Sequence, residues 1–298
     1  MGNHIIEARP LASITLKREK QRVPPEIYFV VSAVFHYLGP AFAVLLFARV
    51  NVLGVAWLRI VSAAAVFALW KRPLRLFSEI NAKEKRIVLA LGAVLASMNV
   101  CFYLAISRLP LGTVGTIEFL GPLVIAASGA RTKRNIVALL LAVAGVFLLT
   151  RVRISGEPFG YAFAFANCAL FVLYILLGHK IAVKGGRGGV ERLALAMLVA
   201  VIVVTPVGLK SAIGAFFDPK LLMAGIGVGV CSSVIPYVCD QFAMARLSKS
   251  TFALMLALLP ATACIIGLLV LRQIPSLSEI AGVCLVIGGV ALRRTNDD

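Results

Sequence analysis

Three ionisable side chains interrupt long apolar stretches of this 298-residue sequence: Arg59, Glu118 and Asp240. Placing a charge in the middle of a bilayer costs about 2.5–3.5 kcal/mol on insertion scales, so such residues usually face a cavity or a partner. Each of the three is a candidate for binding a charged ligand or for carrying a proton. The sequence contains no metalloprotease, serine-hydrolase or P-loop motif that would favour an enzyme or an ATP-driven pump.

Glu118 and Arg59 are expected at the same depth, because each is the ninth residue of its apolar segment. At 1.5 Å per residue, both lie about 12 Å from the start of a helix. Two interpretations follow. Either Glu118 faces a water-filled cavity, where it binds an ammonium group or carries a coupling proton, or it forms a buried ion pair with Arg59 that fixes the packing of the helices.

Asp240 also has two interpretations. Ser233, Tyr237 and Asp240 recur at helical spacing and share one face of a helix, which favours a place in a binding site. Alternatively, Asp240 pairs with Arg246 near the end of the same helix, or its carboxylate reaches the membrane interface.

Polar and aromatic residues form similar stripes on other segments. They are Ser32, His36 and Gly39 on one, Asn99 and Tyr103 on a second, and Asn167, Phe171 and Tyr174 on a third. Aromatic walls with a few polar anchors are typical of a ligand pocket, whereas any single residue of this kind could simply join two membrane helices by a hydrogen bond. We predict a substrate site with Arg59 in a structural or coupling role and a lining of Glu118, His36, Asn99, Tyr103, Tyr174, Tyr237 and Asp240.

The composition indicates that lipid is the solvent for much of the chain. Hydrophobic residues make up 60% of it and charged residues 14%, with a mean hydropathy of +0.97, against roughly 45–50% and 25% in soluble proteins. The net charge of +17 lies in short basic runs between apolar stretches. This distribution is typical of membrane orientation signals and argues against a nucleic-acid partner.

Ten segments are apolar enough for membrane helices, which need about 20 residues each. The chain is therefore predicted to be an all-α integral membrane protein with ten transmembrane helices. Of these, the fifth and tenth are short, and the eighth is long enough to tilt or kink. The predicted segments are 26–48, 51–70, 87–107, 110–129, 135–150, 158–179, 190–209, 220–245, 250–271 and 276–292.

The basic residues predict the orientation. Tails and alternate loops on one side hold 22 of the 30 lysines and arginines, and the other side holds seven. The positive-inside rule places the richer side in the cytoplasm. Residues 1–25 and 293–298 are then cytoplasmic tails, which requires an even number of membrane crossings.

The sequence also repeats internally, with 26–151 as the first five-helix repeat and 158–292 as the second. An odd number of helices per repeat gives the two repeats opposite orientations, an arrangement found in alternating-access transporters. Leu256 stands where Glu118 would recur, so the acid is not part of the repeated scaffold. The matched residues are Ala105, Arg108, Leu109, Thr113 and Pro122 with Ala243, Arg246, Leu247, Thr251 and Pro260, and Ala144, Gly145 and Val146 with Gly288, Gly289 and Val290.

Pro122 and Pro260 occupy matching positions of the two repeats. Proline removes a backbone hydrogen bond and bends a membrane helix. We interpret the two prolines as hinges, and static kinks are the alternative.

Metal and cofactor sites are not indicated. The six cysteines all lie in apolar segments without a Cys-x-x-Cys pair and are interpreted as packing residues. The three histidines are too few and too scattered for a histidine metal site. We expect no metal and no cofactor.

Three stretches of the first repeat resemble one known family. Residues 98–106 (MNVCFYLAI), 109–112 (LPLG) and 118–122 (EFLGP) are similar to the EamA branch of the drug/metabolite transporter superfamily, and the likeness extends over nearly all of 26–292. Within that branch the chain most resembles bacterial amino-acid exporters of the threonine/homoserine type, with an aromatic amino-acid exporter as a close relative. Asp240 stands where the threonine/homoserine type has Glu.

The resemblance implies an inverted-repeat exporter that moves amino acids or related metabolites across the bacterial inner membrane, with the bilayer and a small molecule as its partners. We expect a monomer that is not an enzyme and has no catalytic residues. Two alternatives stay open. One is an exporter of other metabolites or drug-like compounds, and the other, from a different class, is an intramembrane enzyme.

Overall fold

A computed structural model describes residues 23–71, 73–109, 111–128, 132–150, 158–183, 186–259, 262 and 276–292, and every regular element in that part of the chain is helical. We number the helices α1 (Pro25–Leu46), α2 (Val52–Lys71), α3 (Leu74–Glu79), α4 (Ala82–Ile106), α5 (Leu111–Ser128), α6 (Lys133–Thr150), α7 (Pro158–Ala182), α8 (Gly186–Ala212), α9 (Pro219–Met244), α10 (Lys249–Met255) and α11 (Leu277–Leu292).

Within the described residues, five helices are long and apolar enough to cross a membrane: α2, α4, α7, α9 and the helix Gly188–Phe217 that contains most of α8. Large apolar side chains lie on the outside of the molecule, and Phe147, Phe159 and Phe217 are exposed over 75%, 71% and 84% of their surface. Lipid is the solvent that accommodates such a surface. The prediction of an all-helical membrane protein is confirmed at this level.

Several helix limits differ from the prediction for local reasons. Helix α4 begins at Ala82 rather than at 87, because the side chain of Asn81 accepts a hydrogen bond from the backbone N–H of Glu84 and caps the first turn. The short helix α3 lies in a predicted loop.

Some predictions fall outside the described residues. They are most of the ninth predicted helix beyond Leu259, the hinge at Pro260, residues 1–22 of the first tail and all of the tail 293–298.

Helix α9 changes its winding in the middle. Two α-helical parts flank a π-helical turn at Val230–Val234, and Pro236 lies just after it. Pro236 has no N–H, so it cannot donate to the carbonyl of Ser232 four residues earlier. Such single π turns are frequent at functional sites.

Eight of the described helices pack into one connected bundle. Helix α4 lies between α7 and α8, α9 packs on α1 and α2, α2 packs on α8, and α5 lies between α7 and α10. Glycine permits some of these close approaches. A methyl group at Gly39 would lie 2.8 Å from the Cα atom of Ser232, so the backbones of α1 and α9 come together where that glycine stands.

The α6–α11 interface contains two reciprocal contacts. A Cβ atom at Gly145 would lie 2.7 Å from the carbonyl oxygen of Gly282, and one at Gly289 would lie 2.7 Å from the carbonyl oxygen of Ala138. The backbone nitrogens of Val286 and Ala142 complete the two contacts at 2.8 and 2.9 Å. Rising residue numbers on α6 meet falling numbers on α11, so the two helices are antiparallel.

Glycines also permit close backbone approach at the α2–α8 interface. A Cβ atom at Gly54 would meet the backbone of Ser211, and one at Gly208 would lie 2.7 Å from the carbonyl oxygen of Leu53 and 2.6 Å from the Cβ atom of Trp57. These helices too run antiparallel.

Candidate functional site

A small cavity lies among helices α1, α2, α4, α5, α7 and α9. Its lining combines an acid, a base, amide side chains and aromatic rings, the mixture typical of a polar ligand pocket. The lining residues are His36, Pro40, Arg59, Met98, Asn99, Phe102, Glu118, Asn167, Phe171 and Tyr237.

Glu118 of α5 is held by an amide from α7. The Nδ2 atom of Asn167 donates to Glu118 Oε1 at 2.9 Å, and Asn167 is completely buried. The other polar atom of this amide, Asn167 Oδ1, is buried without a hydrogen-bond partner among the described residues.

Arg59 of α2 is anchored on α9. Its Nε atom donates to Ser233 Oγ at 2.8 Å, and its Nη2 atom donates to the carbonyl oxygen of Ser232 at 2.7 Å. That carbonyl is available because Pro236 cannot donate to it. The ring of Tyr103 lies against the guanidinium, 5.7 Å from its carbon to the ring centroid.

The two charged side chains line one cavity without contacting each other. Within the described residues, the hydrogen bonds of Arg59 go to α9 and that of Glu118 goes to α7, and no ion pair joins the two side chains. The arrangement leaves the Nη1 atom of Arg59 and most of the Glu118 carboxylate for a ligand.

Asp240 follows Tyr237 by three residues on α9 and takes part in a separate group of hydrogen bonds. It accepts hydrogen bonds from Ser32 Oγ at 2.6 Å and from the hydroxyl of Tyr174 at 2.8 Å. It does not pair with Arg246, whose Nη1 atom instead donates to the carbonyl oxygen of Val23. The ring centroid of Tyr174 lies 5.5 Å from that of Tyr237, which lines the cavity. Tyr174, which binds Asp240, therefore packs directly behind the cavity wall.

A second small cavity shares Glu118 and Phe171 with the first. Glu118 therefore lies at the junction of the two spaces. Leu256, which matches Glu118 in the predicted repeat, lines this second cavity, as do Tyr37, Gly115, Phe119, Pro122 and Leu259.

The structure places the predicted site residues close together but not all on the cavity. His36, Asn99, Glu118 and Tyr237 line it with Arg59. Tyr174 and Asp240 lie behind Tyr237, and Tyr103 packs on Arg59, with its hydroxyl buried and without a partner among the described residues.

The prediction of the lining omitted Met98 and Phe102. Phe102 lies three residues after Asn99 and four after Met98, so helical spacing extended from Asn99 through Phe102 could have identified both. It also omits Pro40, which follows His36 by one turn. Asn167 and Phe171 belong to a predicted stripe but not to the predicted lining.

No group of three or more metal-binding side chains occurs among the residues that the structure describes. The cysteines within that part, Cys101, Cys168, Cys231, Cys239 and Cys284, are free thiols.

The chain is similar to known proteins by family model, by sequence and by fold. Residues 158–294 match the model of the EamA-like transporter family. The threonine/homoserine exporter RhtA of Salmonella typhimurium (strain SL1344) is 31% identical over 257 residues, which are 84% of each chain, and RhtA of Escherichia coli (strain K12) is 31% identical over 239 residues, 79% of each chain. A protein of known crystal structure, 18% identical, has the same fold with a TM-score of 0.63, over 90% of this chain and 96% of the other.

Proposed function

This chain belongs to the EamA-like transporter family, and from that premise we propose that it exports amino acids or related small metabolites across the bacterial inner membrane. The relatives it matches over four-fifths of its length are named as exporters of threonine and homoserine. The names of the family and of these relatives describe transport and not catalysis.

The observation that carries the proposal is the presence of one acidic and one basic side chain in the same cavity. An amino acid carries an ammonium and a carboxylate group on the same carbon. Glu118 and Arg59 line one cavity from different helices without contacting each other. An ammonium group at Glu118 and a carboxylate at Arg59 Nη1 would complement both charges, and charge-assisted hydrogen bonds are the stronger ones.

The remaining lining supports a small ligand. Phe102, Phe171 and Tyr237 supply aromatic walls, and Asn99 supplies an amide. His36 and Pro40 of α1 line the same cavity as Arg59. We assign substrate contact to Glu118, Arg59, His36, Asn99 and Tyr237, and a supporting role to Tyr103, Tyr174 and Asp240 behind them.

We further propose that the chain is built from two inverted five-helix repeats, 26–151 and 158–292. At the α6–α11 interface, Gly289, Val286 and Gly282 each lie 144 residues after Gly145, Ala142 and Ala138, their counterparts in the reciprocal contacts. A rotation that exchanges the two helices therefore exchanges the contacts, as in an isologous interface. The residues matched by the family model, 158–294, have nearly the limits of the second repeat.

The direction of these helices supports inversion rather than simple duplication. A two-fold axis parallel to two helices would leave them parallel, but α6 and α11 are antiparallel. The axis that exchanges them must be perpendicular to both helices. If the helices cross the membrane, that axis lies in the membrane plane, as in transporters with inverted repeats.

The ends of α4 and α9 support the same symmetry. Arg108 stacks over Phe163 of α7, with 5.4 Å from the guanidinium carbon to the ring centroid, and its repeat counterpart Arg246 stacks over Tyr28 of α1 at 5.7 Å. Each repeat thus places an arginine on the first helix of the other. In our proposal the two contacts lie on opposite sides of the membrane and open in turn during alternating access, with Pro122 and Pro260 as hinges.

The proposed topology has ten transmembrane helices with both termini in the cytoplasm. The direct test of function is counterflow of labelled threonine and phenylalanine into proteoliposomes that contain the purified protein. The assay is run with and without a pH gradient. Saturable uptake of unmodified label would support an amino-acid transporter, and a response to the gradient would support proton coupling. Uptake of neither would remove amino acids as substrates, and covalently altered label would indicate an enzyme.

A further inference from the structure

Asn167 has a polar atom that the protein itself does not satisfy. The residue is completely buried at the cavity wall, and its Oδ1 atom has no hydrogen-bond partner among the described residues. When Glu118 is ionised its carboxylate only accepts, so Asn167 presents its N–H group to Glu118 and keeps Oδ1 for another donor. Leaving a buried acceptor unpaired is unfavourable, so a donor from a ligand at this atom would stabilise the site.

Two backbone acceptors of the same cavity also lose their usual partners. Pro40 and Pro122 have no N–H, so neither can donate to the carbonyl four residues earlier, which belongs to His36 in one case and to Glu118 in the other. Both of those residues line the cavity. Near Glu118, these two carbonyls thus lack the usual helical donor, and Asn167 Oδ1 has no partner among the described residues.

We propose that Glu118 and Asn167 together form a receptor for the N–H groups of a substrate ammonium, and that this receptor selects amino acids with free amino groups over their N,N,N-trimethylated forms. The inference rests on the proposed function. One N–H of the ammonium group binds the Glu118 carboxylate and a second binds Asn167 Oδ1. A quaternary ammonium group keeps the charge but has no N–H, so it satisfies neither acceptor.

Recognition of the amine by the aromatic walls would give the opposite result on methylation. Phe102, Phe171 and Tyr237 could enclose a quaternary ammonium group through cation–π attraction, as aromatic cages do. If the rings rather than Asn167 determine recognition, methylation of the amine will leave binding unchanged or strengthen it. Trimethylation of the amine therefore distinguishes recognition by hydrogen bonds from recognition by the aromatic rings.

The first experiment is competition against counterflow of labelled threonine in proteoliposomes. The competitors are threonine, N,N,N-trimethylthreonine and α-methylthreonine, which adds bulk beside the amine but keeps all three N–H groups. We expect the trimethyl compound to compete about 10- to 100-fold more weakly than threonine, the factor that a lost hydrogen bond to a charged group gives. The α-methyl compound should compete within about threefold of threonine, a difference well under one such hydrogen bond.

The two proposals fail in different ways. Equal competition by threonine and its trimethyl form, with counterflow intact, would overturn the ammonium receptor and leave the transporter standing. Absence of counterflow for every amino acid tried would overturn the proposed function and, with it, this inference.

The second experiment tests Asn167 itself. Asn167→Leu removes both polar atoms, whereas Asn167→Ser keeps a donor and an acceptor. The ratio of competition by threonine to that by its trimethyl form should fall about tenfold in Asn167→Leu, as expected for one lost hydrogen bond, and persist in Asn167→Ser.

Asn99→Leu is the matched control for that ratio. It alters an amide of the same cavity whose Nδ2 atom donates to the carbonyl oxygen of Leu95 and to the hydroxyl of Tyr237, and not to Glu118. The ratio should persist in this variant even if the flux falls. An unchanged ratio in Asn167→Leu would overturn the assignment of Asn167.

Discussion

The Nε atom of Arg59 donates to Ser233 Oγ at 2.8 Å, so the guanidinium in the cavity is anchored on α9 and not on the acid of α5. Its Nη2 atom uses the Ser232 carbonyl that Pro236 leaves free. Two helices far apart in the chain thereby hold a positive charge in place, and Glu118 stays available to a ligand.

Arg59→Lys should weaken recognition of the carboxylate of a substrate. Lysine keeps the charge but has no planar fork to bind Ser233, Ser232 and a ligand together. We expect the half-saturation concentration for threonine to rise about tenfold or more, the value of one charge-assisted hydrogen bond. The measurement is counterflow in proteoliposomes.

Threoninol, which lacks the carboxylate, is the matched ligand for that variant. It should compete with the same strength in the wild type and in Arg59→Lys. An equal loss for threonine and threoninol would mean that Arg59 acts only through the packing of α2 on α9.

Tyr174→Phe should destabilise the protein through Asp240. The change leaves a buried carboxylate with one of its two described donors, at a cost of about 1–3 kcal/mol in the free energy of unfolding. Because Ser32 shares the same acceptor, Ser32→Ala combined with Tyr174→Phe should be non-additive. Thermal unfolding in detergent measures both effects.

Tyr28→Phe serves as the control for Tyr174→Phe. Its ring contacts Phe242 and Arg246, and its hydroxyl makes no hydrogen bond among the described residues. A loss of stability as large in Tyr28→Phe as in Tyr174→Phe would contradict the role given to Asp240.

Gly289→Ala and Gly145→Ala should destabilise to a similar extent, because each new methyl group meets the backbone of the opposite helix. Overpacking of this kind costs about 1–3 kcal/mol. Gly288→Ala is a control one residue away, since a Cβ atom there meets nothing within 4 Å, and alanine is the better helix former by about 0.5–1 kcal/mol. Unfolding temperatures that fall for Gly145→Ala and Gly289→Ala but not for Gly288→Ala would support the reciprocal contacts. Equal values for the three variants would contradict them.

Single cysteines should report the proposed topology. In a background without the native cysteines, Ser107→Cys lies after α4 and Lys249→Cys lies after α9, at exposed positions. In intact cells, a membrane-impermeant maleimide should label position 107 and not 249, and everted vesicles should give the reverse. Labelling of both positions from the same side would rule out the inverted arrangement.

Much of the helix pattern could be predicted, because apolar length and charged boundaries are local properties of the chain. The predicted segment 51–70 corresponds to α2 at Val52–Lys71, and 158–179 to α7 at Pro158–Ala182. The π-helical turn of α9 was not predicted. Within this turn, the carbonyl of Ser232 accepts from Arg59 of another helix, a contact that the sequence of α9 alone does not reveal.

The members of the site were easier to predict than their partners. Intramembrane charge and helical spacing indicated Glu118 and Asp240 as polar groups. Their hydrogen-bond partners depend on how neighbouring helices pack, which spacing along one helix cannot supply. Glu118 thus contacts Asn167 and not Arg59, and Asp240 contacts Ser32 and Tyr174 and not Arg246.

The most direct test of the account is threonine counterflow by Glu118→Gln beside the wild type. Glutamine keeps the size of the side chain and one acceptor oxygen, but it has no negative charge to bind an ammonium group. Glu79→Gln, on the exposed face of α3, is the control for loss of a negative charge. The account predicts saturable counterflow in the wild type and in Glu79→Gln, and a loss of about 10- to 100-fold in Glu118→Gln. Wild-type affinity and rate in Glu118→Gln would contradict the central claim that this carboxylate binds the substrate amine.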